Sequence, residues 1–241
     1  MVRYSGLALL FLVWGSSASA HDLYIFDSRR ATPGPSIELI ELPPSTGAID
    51  KKYRVKVGAG LPRGVVFGVY TKPFDHAFHE AESGFQLDES GDLVSSDPSG
   101  RVRRLEDVVF GPGPYPPGAA WELALVSSDR TIRLFTKAIP YPIVASNGPC
   151  IVSLELVSDR GDRFTTSGAG FPPGDEVVTE LRYSGRLIQR QQRASPEGRL
   201  TPELIAHRDI SADRTARYTV KARSCEVSID YDWGEPALHR R

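Results

Sequence analysis

Residues 58–64 read GAGLPRG, and residues 168–174 read GAGFPPG, 110 positions further on. A segment that combines three glycines with one or two prolines at fixed spacing belongs neither inside a helix nor inside a central strand. Proline fixes φ near −65° and donates no ladder hydrogen bond, while glycine admits positive φ. Each copy follows one apolar, alternating run and precedes another. The stretch therefore reads as a tight crossing between strands, from one sheet to the next. A phosphate-cradling glycine loop would need a helix immediately behind it to offer its N-terminal amides, and none follows.

Two further echoes run in the same order. DESGDL (88–93) is answered by SPEGRL (195–200), and SSDRTIRLFTKA (127–138) by SADRTARYTVKA (211–222), with seven of twelve positions identical. The offsets are 110, 107 and 84, so the first copy should carry an insertion, placed near 94–118 in a turn-rich stretch. The chain is thus expected to hold two related units, residues 21–142 and residues 143–241. The segment IPYPIVASNGPC (139–150) reads as the stiff connection between them.

Short alternating runs separated by Gly, Pro, Asp and Ser fill both units. They include SIELIEL, YRVKVGA, VVFGVYT, WELALVS and IRLFTKA, then CIVSLELV, RFTTSGAGF, EVVTELRYSG and EVSIDYDW. No amphipathic helical period competes with them. The expected fold class is all-β: two tandem Greek-key β-sandwiches. GAGFPPGDEV (168–177) resembles the G-x-G-F-x-P-G-[DE]-x-V stretch of bacterial immunoglobulin-like domains of exported proteins; GAGLPRGVVF resembles it more loosely. The resemblance implies an immunoglobulin-like fold with adhesion, spacing or ligand binding as its use, and no shared catalytic residues.

Residues 1–20 have the form of a secretory signal peptide. Arg3 precedes an apolar run of eight (residues 7–14), and Ala18-x-Ala20 forms the cleavage pattern. Eight apolar residues fall well short of the roughly 20 needed to span a bilayer. Cleavage after Ala20 leaves 241 less 20, or 221, residues of secreted or periplasmic protein with no membrane span. In that oxidising setting the two cysteines, Cys150 and Cys225, are expected to pair, stabilising the fold by about 4 kcal/mol in the chain-entropy model. Lys and Arg number 29 against 30 Asp and Glu, so no general electrostatic grip on nucleic acid is expected.

No nucleophile elbow, zinc-protease helix or cofactor motif stands out, and no cofactor is expected on the leading reading. That reading is an exported, non-enzymatic binding, adhesion or spacer protein, its partner a protein or cell-surface polymer. The alternative is a copper site. Cleavage after Ala20 would expose His21, whose amino group and imidazole can chelate a metal together with His76 or His79 of FDHAFHEAE, with Asp75 and Glu80 nearby to orient the rings. A strand through HAFHEA would point His76 and His79 to opposite faces; a helical turn would bring them together. Tyr115, Trp121, Tyr231 and Trp233 are either core rings or a sugar-binding row, and packing is the expected role. RGD (160–162) reads as a hairpin turn, and RLIQRQQR (186–193) as a solvated strand face.

Overall fold

The computed structural model describes residues 23–24, 26–44, 50–74, 76–97, 99–208 and 213–239. The proposed signal peptide and His21 lie outside them. The fold is all-β and antiparallel, with three short 3-10 turns and no α-helix among the described residues. No described helix is long and apolar enough to cross a membrane.

The first half contains β1 (Leu23–Tyr24), β2 (Ile37–Glu41), β3 (Tyr53–Val57), β4 (Phe67–Lys72), β5 (Phe78–Leu87), β6 (Leu93–Ser96), β7 (Val102–Arg104), β8 (Trp121–Ser127) and β9 (Arg133–Ala138). Seven of these form one sheet in the order β7-β6-β5-β4-β8-β9, with β1 added to β5, while β2 and β3 pair separately. Alternation explains the layers: Phe67, Val69, Leu123 and Leu125 turn into the main core with Tyr53 and Val55 of β3. The opposite face of the large sheet carries a second, smaller core. Tyr24 and residues 26–32 lie across this face from β5, where Tyr24 pairs with Phe78, to β9, where the Thr32 N–H donates to Arg133 O at 2.8 Å. Under this strap, Tyr24 and Phe26 stack in parallel and meet Tyr70 edge-on at 5.0 and 5.1 Å, over Phe78, Ala124 and Val126.

The second half contains β10 (Ile143–Asn147), β11 (Cys150–Leu156), β12 (Arg163–Ala169), β13 (Glu176–Tyr183), β14 (Arg186–Arg193), β15 (Leu204–Ala206), β16 (Thr215–Lys221) and β17 (Glu226–Asp232). Sheet β10-β11-β12-β15 packs face to face on sheet β14-β13-β16-β17. Cys150, at the start of β11, is bonded to Cys225, just before β17, so the disulfide joins the two sheets. Strand β10 (Ile143–Asn147) lies within the stretch expected to be linker, so CIVSLELV, expected as the first strand of the second unit and the carrier of Cys150, is its second. A parallel bridge between Ala119 and Leu156 and the Lys137–Glu155 ion pair at 2.7 Å tie the halves together.

The repeated stretch performs the expected crossing in both halves. It leads from β3, in the small sheet, to β4, in the large one, and from β12 in one sheet to β13 in the other. The second echo is also a structural one. Asp88 N–H donates to Asp92 O (2.9 Å) and Gly91 N–H to Asp88 O (3.2 Å); Ser195 and Gly198 repeat both bonds to Arg199 and Ser195, at 2.8 and 2.9 Å.

The third echo is not equivalent, which corrects the reading from sequence. Strand β9, in the first copy, is the edge partner of β8, whereas β16, in the second, lies between β13 and β17. What the two copies share is turn chemistry. Asp129 accepts from Thr131 N–H and Oγ1 (3.1 and 2.9 Å), and Asp213 from Thr215 N–H and Oγ1 (2.9 and 2.7 Å). A short acid satisfying the amide two residues on is a local solution, independent of which strand follows.

Candidate functional site

The two halves differ most on the outer edge of the strand that precedes the crossing. In the second half this edge is covered by β15: Arg163, Phe164 and Thr165 pair with Ala206, Ile205 and Leu204. Thr166 N–H donates to Glu203 O (2.9 Å) and Leu200 N–H to Gly168 O (3.0 Å), extending the cover along the strand. In the first half the matching turn delivers Leu93 into β6, which folds back on Leu87 of β5 instead of crossing to β3.

Among the described residues, strand-type backbone pairing on this side of β3 is confined to its start, with the turn at Leu105–Asp107 packed beside it. Tyr53 exchanges both backbone bonds with Phe110, at 2.8 and 2.9 Å. The chain then leaves in a 3-10 turn, Leu105–Asp107, where Val108 N–H donates to Leu105 O. Peptide groups alternate in direction along a strand, so those of Val57 face the same side as those of Tyr53. Among the described residues no backbone partner meets them.

An open cleft of about 920 Å³ occupies this place, within the size range of ligand sites. Val57, Leu61, Leu87, Leu93 and Leu105 contribute apolar lining, and Arg54, Lys56 and Arg63 stand along the β3 side. On the other side Arg104 reaches Asp92 at 3.7 Å and Glu106 at 3.8 Å, while Asp107, also on that wall, makes no ion pair among the described residues. Arg63 donates to Glu89 O at 2.9 Å. Among the described residues, Arg54 and Lys56 have no acid within ion-pair distance.

The candidate residues from sequence fall elsewhere. His21 and Asp75 lie outside the described residues. His76 is exposed in the loop before β5, while His79 is half-buried on β5, opposite Leu23, with Nε2 3.0 Å from Thr71 Oγ1. Among the described residues, no three His, Cys, Asp or Glu side chains converge to hold a metal ion. Tyr115, Trp121, Tyr231 and Trp233 are all buried, which settles them as packing rings and not a sugar platform. The RGD segment sits in the β11–β12 hairpin turn. Arg160 pairs with its own Asp162 at 3.2 Å, and Gly161 O accepts from Gly234 N–H at 2.7 Å, so the tripeptide is folded onto the domain.

One residue that the sequence did not single out is His207, only 3% exposed. Its ring stacks on Trp233 (centroids 4.9 Å, interplanar 19°) and meets Tyr183 edge-on; Nε2 lies 3.0 Å from Tyr231 Oη. Nδ1 has no partner. Burial holds its pKa down to about 4, against a small opposing pull from Asp162. A folded-state pKa below the unfolded value near 6.5 means that the unfolded chain takes up the proton first. Stability is therefore full above about pH 6.5 and falls as pH drops toward 4, by about 3 kcal/mol. Urea unfolding at pH 7 and pH 4 should show this loss, and His207→Gln should remove most of that difference. An unchanged pH dependence in the variant would assign the acid sensitivity to other groups.

No family model matches this chain, and no curated protein is similar enough to count as a relative. The class of molecule is thus defined by its own geometry: paired antiparallel units, one closed by its own strand and one left open beside β3.

Proposed function

We propose that the protein is an exported binding module whose ligand occupies the cleft beside β3, with the second half serving as a closed, disulfide-clamped support. The observation that carries this reading is the contrast between the halves. One chain covers the edge of β12 with β15, yet leaves the corresponding place on β3 as a lined cleft. The leader-like residues 1–20 and the Cys150–Cys225 bond support export. Binding is favoured over catalysis because Asp92 and Glu106 on the cleft wall are engaged by Arg104, while buried His207 is enclosed by core rings in the other half.

The reading is tested by probing peptide and glycan arrays with the mature chain and with Ser90→Trp, an exposed turn position at the cleft mouth. One ligand class should be retained by the parent chain and lost about tenfold or more in the variant. Equal retention by both proteins would place the ligand elsewhere and overturn the assignment.

A further inference from the structure

We infer, on the basis of that binding reading, that the ligand is an extended peptide segment, apolar at alternate positions and carrying an acidic residue, which adds as a strand to the open edge of β3. The chain itself supplies the precedent. Strand β15 shows the pairing: Ile205 is buried between the sheets and the Glu203 carbonyl accepts from Thr166 of β12, with the Glu203 side chain on the same inner face as Ile205. Arg54 and Lys56 lie on the exposed face of β3, so a guest there needs its acid at the alternate position.

Three features of the cleft match a guest of this kind. Val57 presents an N–H and a C=O on the side where Tyr53 already makes a strand-type exchange with Phe110, so pairing needs only to be continued. Val57, Leu61, Leu87, Leu93 and Leu105 offer apolar surface to every second side chain of an added strand. Charge selects the rest of the guest: Arg54 and Lys56 lie along the β3 side and make no ion pair among the described residues, whereas the acids Asp92, Glu106 and Asp107 stand on the far wall around Arg104. An acidic residue on the guest would answer the two free cations, and a basic one would meet no unneutralised counterpart on the β3 side. A bound strand also explains why the two halves, alike in turn and crossing, differ here: one carries its strand in cis and the other takes it in trans.

The probe is a capped synthetic peptide, TPLEIAH, the sequence of residues 201–207 with Glu203 and Leu204 exchanged, so that Leu and Ile share the inner face and Glu turns toward Arg54 and Lys56; it is added to the mature chain. Tethered β15 keeps its own seat, because its local concentration far exceeds that of the free peptide. Amide hydrogen exchange resolved at Val57 should slow about tenfold or more at saturating peptide. Affinity should fall about tenfold in the double variant Arg54→Glu, Lys56→Glu, and likewise for a peptide with Lys in place of its Glu. Unchanged exchange at Val57 in the presence of bound peptide overturns strand addition, as does absence of binding at about 1 mM. If the arrays instead yield a glycan that Ser90→Trp abolishes, the binding module stands and the peptide assignment falls.

Discussion

Gly170→Ala will destabilise the second half by more than about 4 kcal/mol, while Gly60→Ala, at the matching position of the first half, will cost about 1 kcal/mol. Both glycines occupy the third position of the repeated stretch, and both have positive φ, +79° and +101°. A left-handed backbone alone costs an L-residue about 1–2 kcal/mol. The difference lies in what surrounds them. A Cβ on Gly170 would stand 1.8 Å from Pro149 O and 2.7 Å from its carbonyl carbon, whereas one on Gly60 would meet nothing nearer than Pro35 Cγ at 3.6 Å. Pro149 O is main chain and cannot swing aside as a side chain would. It directly precedes Cys150, which is anchored through the disulfide to Cys225, and Cys150 Sγ itself lies 3.6 Å from Gly170 O. The crossing in the second half is thus pressed against the start of β11; in the first half the matching position, Gly60, has room around it. Urea unfolding followed through Trp233 for the first variant, and through Trp121 for the second, separates the two costs. Equal losses would show that the conformation of the turn, and not the close approach, is what requires glycine at position 170.

That pair of glycines also marks how far the sequence could be read. Alternation and turn chemistry are local, and both were legible: the all-β class, the crossing at residues 58–64 and 168–174, the turn shared by DESGDL and SPEGRL, and the hairpin around RGD. Strand β5 (Phe78–Leu87) was harder to see. FHEAESGFQL alternates poorly, because the strand shifts register against β4 and pairs β4 with one end and β6 with the other. The SSDRT and SADRT echo misled for the opposite reason. Asp129 and Asp213 stitch the same local turn ahead of strands with different places in their sheets, so identity at seven positions reported turn chemistry and not topology.

The cleft was not legible at all. It exists because Leu93 returns to Leu87 while Leu200 crosses to Gly168, a choice made by long-range packing after two nearly identical turns. His207 is hidden in the same way: nothing in ELIAHRD tells that its ring will be closed between Trp233, Tyr183 and Phe164. The candidate aromatic rings, by contrast, could be sorted on general grounds. Large rings contribute much of a small domain's buried apolar surface, and Tyr115, Trp121, Tyr231 and Trp233 do that.

Replacing both Cys150 and Cys225 with alanine should cost about 4 kcal/mol. The bond closes a loop of 75 residues, and its main effect is to remove open conformations from the unfolded ensemble. Its position adds a folded-state contribution: Cys150 is fully buried where β11 begins, and Cys225 stands at the entry to β17, so the bond fixes the distance between the two sheets at one corner. The loss should register at Trp233, beside β17, more than at Trp121 in the first half. A loss below about 1 kcal/mol would mean that the unfolded chain stays compact without the bond, which then removes little entropy from it. In the folded state the bond and the Gly170 approach are coupled, because they meet at the same few atoms. Gly170→Ala pushes Pro149 away from the crossing, and the disulfide is what resists that displacement. Combining Gly170→Ala with the double alanine change should therefore cost less than the sum of the separate losses, by about 1 kcal/mol or more in a double-mutant cycle. Strict additivity would show that the corner is not one mechanical unit, and that the disulfide acts on the unfolded chain alone.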